Sequence, residues 1–221
     1  TSRNVMDAML GLAGGVMVAA SFFSLIAPAI EEAEALGQIP WLIVSLGFFL
    51  GGVLLFITDK LSTRILKSET SKKNLMLMLS ITMHNIPEGL VVGLAFGSLV
   101  YGNTTLSSAI MLAIGIGIQN FPEGSAISLP MRRSGMSTKR AFFLGQISGI
   151  VEPIAGVLGA LLVLKIKWIL PISLAFAAGA MIYVVVEEII PESQTNKRKD
   201  LMAFFTLIGF IIMMVLDVGL G

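Results

Sequence analysis

Apolar residues fall in seven long stretches along this chain, approximately 5–30, 40–58, 75–101, 105–130, 141–164, 168–190 and 201–219. At about 1.5 Å of rise per residue, each can cross a hydrocarbon layer about 30 Å thick as a helix. The polar breaks between them are short, and only 31–39 and 59–74 have a soluble-like composition. The pattern predicts an all-α, polytopic transmembrane bundle with seven spans, forming a single domain over 1–221.

Composition narrows the class. Of 221 residues, 55% are apolar and only 13% are charged, against about 25% charged in soluble domains. A net charge of +1 with no long basic block gives nucleic acid nothing to follow. Cysteine is absent, which removes disulfides, thiolate metal sites and thiol catalysis. A single histidine is too few for His-clustered membrane oxidases, and no HExxH occurs, so a metalloenzyme is disfavoured.

Lys and Arg are placed asymmetrically. Thirteen of the 15 fall in the breaks at one end of the spans, and only Lys165 and Lys167 at the other. By the positive-inside rule the chain start is cytoplasmic and Gly221 is outside. Small residues at four-residue spacing (Gly11/Gly15, Gly93/Gly97, Gly145/Gly149) mark helix-packing positions.

Ionisable groups deep in a span are costly and need an explanation. Four lie deep: His84, Glu88, Glu123 and Glu152. His84 sits about 14 Å into its span, Gln119 about 21 Å and Glu152 about 17 Å, all near the middle. Residues 84–89 read His-Asn-Ile-Pro-Glu-Gly and residues 119–124 read Gln-Asn-Phe-Pro-Glu-Gly. The two copies lie on adjacent spans of opposite direction, an inverted repeat with a midplane site. His84 and Glu88 share a helix face, as do Gln119 and Glu123. Asn85 and Asn120 flank the same cleft. Pro87 and Pro122 each free a carbonyl and predict broken or bent helices. Three carboxylates against one histidine require a cation or protons. Mixed nitrogen and oxygen donors suit zinc, iron, cobalt, manganese or cadmium better than calcium.

Met17, about 18 Å into the first span, offers a thioether or simply fills space. Acids near the ends of the spans form a second tier: Glu31, Glu32 and Glu34 on the outer rim, and Asp7, Asp59, Glu187 and Glu188 on the inner. As a set they would gather cations at both mouths of a path.

The doubled motif His84–Gly89 and Gln119–Gly124 resembles the signature helices of the ZIP (Zrt/Irt-like) divalent-metal transporters, most closely the bacterial GufA-like branch. Gly15–Ser24, Glu152-Pro153 and Val186–Glu192 support the likeness over essentially the whole chain. The resemblance implies a transporter rather than an enzyme, with eight spans and both termini outside. The first span here then matches the family's second. It implies a binuclear metal site, with Met17, His84, Glu88, Gln119 and Glu123 forming one half. Asn85, Glu88, Asn120, Glu123 and Glu152 form the other. Ser24 and Glu31 match the outer entrance, while Asp7, Asp59, Glu187 and Glu188 fall near the inner exit. It further implies a homodimer in a bacterial inner (plasma) membrane, elevator-like transport, divalent metal (Zn, Cd, Fe, Mn) as substrate, no organic cofactor and no nucleic-acid partner. Two departures stand out: Leu66–Asn74 lacks a His-rich run, and Asn120 replaces an Asp found in some relatives. A cation-channel-like permease is the alternative transport mode.

Overall fold

A computed structural model describes residues 3–65, 70–102, 104–133, 135–165 and 167–219. Seven long helices make up nearly all of the described chain, and no strand occurs among the described residues. They are α1 (Arg3–Ala35), α2 (Pro40–Ile65), α3 (Thr70–Ser98), α4 (Leu106–Arg133), α5 (Thr138–Ser148 and Val151–Lys165), α6 (Leu170–Ser193) and α7 (Lys199–Gly219). Five are long and apolar enough to cross a membrane, while α3 and α4 carry the shorter apolar runs Glu88–Tyr101 and Leu106–Ile118. The chain is an integral membrane protein.

The helices outrun the apolar stretches. α1 continues through Glu31–Ala35, and α2 continues past Asp59 to Ile65. Glu and Ala are strong helix formers, so loss of apolar character is not loss of helix. α1 stops where Gly37 takes a left-handed φ of 67° and Gln38 N–H bonds back to Ala33. α2 then starts at Pro40, whose fixed φ suits a first helical position. At the start of α4, Thr105 Oγ1 accepts from Ser108 N–H, capping the helix.

Helical backbone runs through both Pro87 and Pro122. A proline removes one hydrogen bond, but its φ near −65° remains compatible with helix. The interruption falls elsewhere, at Gly149-Ile150 in α5. Three other helices contain π-helical turns: Ser21–Ile26 in α1, Val185–Ile189 in α6 and Val215–Gly219 in α7.

Glycine decides which helices touch. A Cβ on Gly93 would collide with the Gly156 backbone, and Gly89 and Gly97 likewise face Glu152 and Ala160, so α3 lies directly on α5. Gly51 meets Phe176 and Gly179 meets Phe48, joining α2 to α6. Gly15 meets Thr206 and Gly209 meets Leu12, joining α1 to α7. Lipid supplies little hydrophobic drive between helices, so close backbone approach and dispersion hold these pairs. Gly145 faces the Gly124 carbonyl of α4, whereas Gly149 forms the α5 break rather than a packing stripe.

The bundle has two unlike ends. At the charge-poor end, Trp41 and Trp168 are exposed, and Gln38 Nε2 donates to the Trp168 carbonyl at 2.9 Å. Tryptophan belongs at a membrane–water boundary. At the basic end, Arg3 reaches Thr195 and Asn196 reaches α1.

Candidate metal centre

α3, α4 and α5 meet around a cavity of about 270 Å³ lined by Gly89, Val92, Asn120, Glu152 and Gly156 among others. The glycine contacts bring α3 against the α5 backbone at Glu152 itself, so the second half of α5 begins at the cavity wall. Glu152 lies in the first turn of that half-helix. There the free N–H groups and the dipole favour an anionic side chain. The α5 break therefore positions the acid that sequence reading placed simply before Pro153.

The two asparagines are oriented by their nitrogens. Asn85 Nδ2 donates to the Ser148 carbonyl at 3.0 Å, and Asn120 Nδ2 donates to Glu152 Oε2. Each amide oxygen is left buried, with no hydrogen-bond donor among the described residues. A buried acceptor left without a donor costs about 1–3 kcal/mol. Glu88 is fully buried one residue before Gly89, three residues after Asn85. Among the described residues, the two amide oxygens here are acceptors without donors.

The predicted residues separate into groups. Asn85, Glu88, Asn120 and Glu152 lie on the three helices that meet here. His84, Gln119 and Glu123 sit on α3 and α4 by backbone, but their side chains lie outside the described residues. Met17 is fully buried on α1, which packs against α4.

A second cavity, of about 260 Å³, opens at the charge-poor end. Ser24, Glu31, Glu32, Ser98, Thr104, Ser108 and Asp217 contribute its polar lining. Ser24 Oγ donates to Asp217 Oδ1 at 3.1 Å. Both residues stand in π-helical turns, which widen a helix locally and are frequent at functional sites. Sequence reading named Ser24 and Glu31 but missed Asp217. Its signal was an acid inside the last apolar stretch, near the end of that stretch. Glu32, read as a rim acid, is buried at 5% exposure.

At the other end the acids divide. Glu187 is exposed and Glu188 partly so, both in the π-helical turn of α6, and Asp59 on α2 and Glu187 each lie near Tyr183. Asp7 lines no described cavity. It is fully buried, accepts from Asn196 Nδ2 at 2.7 Å and pairs with Arg3 at 3.7 Å.

Residues 72–217 match the ZIP zinc transporter family. The chain belongs to the ZIP family. Zinc transporter ZIP11 of Homo sapiens is 39% identical, covering 99% of this chain and 90% of that protein. Zinc transporter GufA of Myxococcus xanthus is 37% identical over the whole chain and 89% of its own length. Zinc transporter ZIPB of Bordetella bronchiseptica is 35% identical over the whole chain and 73% of its own length. This ZIP protein is a metal-ion transporter and not an enzyme, and its relatives include the GufA-like bacterial branch.

Proposed function

We propose that this ZIP protein carries divalent transition-metal ions, zinc foremost, toward the cytoplasm through a binuclear site between α3, α4 and α5. The carrying observation is the pair of buried amide oxygens of Asn85 and Asn120, whose nitrogens are held by the Ser148 carbonyl and by Glu152 and whose oxygens have no donor among the described residues. A cation satisfies such oxygens where a hydrogen-bond donor is missing. Glu88, Glu123 and Glu152 supply the charge, and His84, Gln119 and Met17 complete the first metal's donors. Imidazole is what favours zinc-like over calcium-like ions.

The direction follows from the charge split of the loops, 13 Lys and Arg at one end and 2 at the other. The cavity bearing Glu31, Glu32 and Asp217 is then the outer mouth, and Asp59, Glu187 and Glu188 stand near the exit. A divalent ion moving inward across about 100 mV gains about 4.6 kcal/mol, at about 2.3 per charge. An elevator-like movement of α3–α5 against α1, α2, α6 and α7 is favoured by the glycine contacts. Among the described residues, every glycine that abuts another helix's backbone does so within one of these two groups.

The test is uptake into proteoliposomes of known orientation across a panel of divalent ions. Saturable zinc uptake, accelerated by an inside-negative potential, is expected. Absence of saturable transition-metal uptake by folded protein would overturn the proposal.

A further inference from the structure

Two helix pairs are zipped by glycine, and an apolar cavity lies on the seam between them. Gly47 and Gly51 of α2 abut the backbone of α6 at Ile172 and Phe176. Gly159 of α5 abuts the backbone of α3 at Leu90 and Leu94. These four larger residues are also walls of one cavity of about 330 Å³, which Leu50, Leu162, Ser173 and Ala177 complete. The α2–α6 pair thus supplies one side and the α3–α5 pair the other. Among the described residues, no glycine brings a backbone of one pair onto a backbone of the other.

The cavity opens toward lipid. Every lining residue but Ser173 is apolar. Leu50 and Leu162 are exposed and form its rim, while Leu94 and Ala177 are nearly inaccessible and close its back. Exposed Trp41 and Trp168 mark the membrane–water boundary at this end. Leu50 lies about 14 Å along α2 from Trp41, and Ser173 about 8 Å along the chain from Trp168, at helical rise. Both depths fall within a hydrocarbon half-layer about 15 Å thick. An empty apolar volume forfeits dispersion contacts on all its walls. Water does not restore them, because apolar cavities stay dry, and about 150 Å³ already holds a benzene ring.

We propose that this cavity seats an acyl chain of a phospholipid from the leaflet at the charge-poor end. Hydrocarbon is what surrounds an open apolar rim at this depth. A headgroup finds no charged partner there, since Ser173 is the sole polar lining residue. The seat lies on the seam between the helix groups, but it needs no metal and stands apart from the transport reading.

The experiment reconstitutes the full chain in vesicles of phosphatidylcholine that carries a photoactivatable diazirine near the middle of one acyl chain. Adducts are mapped by mass spectrometry. Leu90 and Phe176, half-buried walls of the cavity, should label as strongly as Phe49, which is exposed on α2, while buried Leu174 should not. Ser173→Leu and Ala177→Leu fill the seat from α6. Each should lower labelling of Leu90 about tenfold, as overfilling a packed site does, and leave Phe49 unchanged. If Ala177→Leu fails to fold, Ser173→Leu, at a half-buried position, decides alone. Labelling of Leu90 and Phe176 no stronger than that of Leu174, or undiminished in a filling variant that melts like the parent, would overturn the seat. A rim without label on Leu50 and Leu162 would overturn it too, since protein and not lipid then covers the cavity. Labelling needs no transport, so zinc uptake measured on the same vesicles separates failure of the seat from failure of the transport reading.

Discussion

Two carboxylates, the buried Asp7 and the partly buried Glu152, show how differently one side-chain type is used in this protein. Asp7 is enclosed at the basic end of the bundle, where its Oδ2 meets a cation and a donor while its Oδ1 has no hydrogen-bond partner among the described residues. The Arg3 guanidinium lies 3.7 Å from its Oδ2, and Asn196 donates to the same atom. Asn196 also donates to Asn4, while its own oxygen accepts from the Arg198 N–H. The result is a polar clasp tying the start of α1 to the turn between α6 and α7. Glu152 receives only a neutral amide, from Asn120, and no cationic side chain among the described residues. Nearby, the oxygens of Asn85 and Asn120 have no donor among the described residues. Burial alone does not single out a cation site. What separates Glu152 from Asp7 is the lack of a cationic side chain beside it among the described residues, a charge that a bound cation or a proton would offset.

The largest effect should come from Glu88. If it bridges two metals, Glu88→Ala empties both, and uptake falls by about 100-fold or more, beyond the 10–100-fold typical of losing an outer partner. Metal content of the purified variant, by elemental analysis, checks this. An intact metal pair would remove Glu88 from the centre and break the contrast with Asp7.

His84→Asp should alter choice more than rate. It replaces the cleft's imidazole with oxygen and should shift competition toward manganese or calcium by about tenfold relative to zinc. A competition profile equal to the parent's at equal protein density would remove His84 from the ligands.

Asp7→Ala tests the other side of the comparison. It removes one acceptor from Asn196, which keeps Asn4, and the ion-pair partner of Arg3, which keeps Thr195, and should cost about 1–3 kcal/mol of stability. Zinc content and metal preference should not change. Lost metal selectivity at full stability would turn the clasp into part of the transport path.

Ser24→Ala should do least. It deletes one hydrogen bond to Asp217, worth about 0.5–1.5 kcal/mol. The expected result is a several-fold rise in the zinc concentration for half-maximal uptake, with the maximal rate retained. A lowered maximal rate instead would place Ser24 in the moving part of the cycle.

Much of this was legible along the chain. Seven apolar runs sufficed for seven helices, because in lipid a spanning backbone must satisfy its own hydrogen bonds and helix is the local way to do so. The doubled motif was legible because a carboxylate in an apolar run is too costly to be incidental. Helix ends were less so: Glu31–Ala35 looks like a polar break but continues α1. Asp217 escaped notice because an acid near the end of a span resembles any solvated terminus. Its meaning comes from Ser24, 193 residues away.

By itself, then, the sequence determined the seven long helices, the two motif helices and the residue types set deep in them, since those depend on local composition and period. Only the tertiary structure decided which acids are answered and which are not. Asp7 and Glu152 look alike in the sequence, each an acid within or beside an apolar stretch. Asn196 reaches Asp7 from 189 residues away, and Asn120 reaches Glu152 from a neighbouring helix. The glycine pairings that set α3 on α5 likewise depend on which backbones meet. Hydrogen bonds and ion pairs act over a few ångströms in space, and position along a chain does not report that distance.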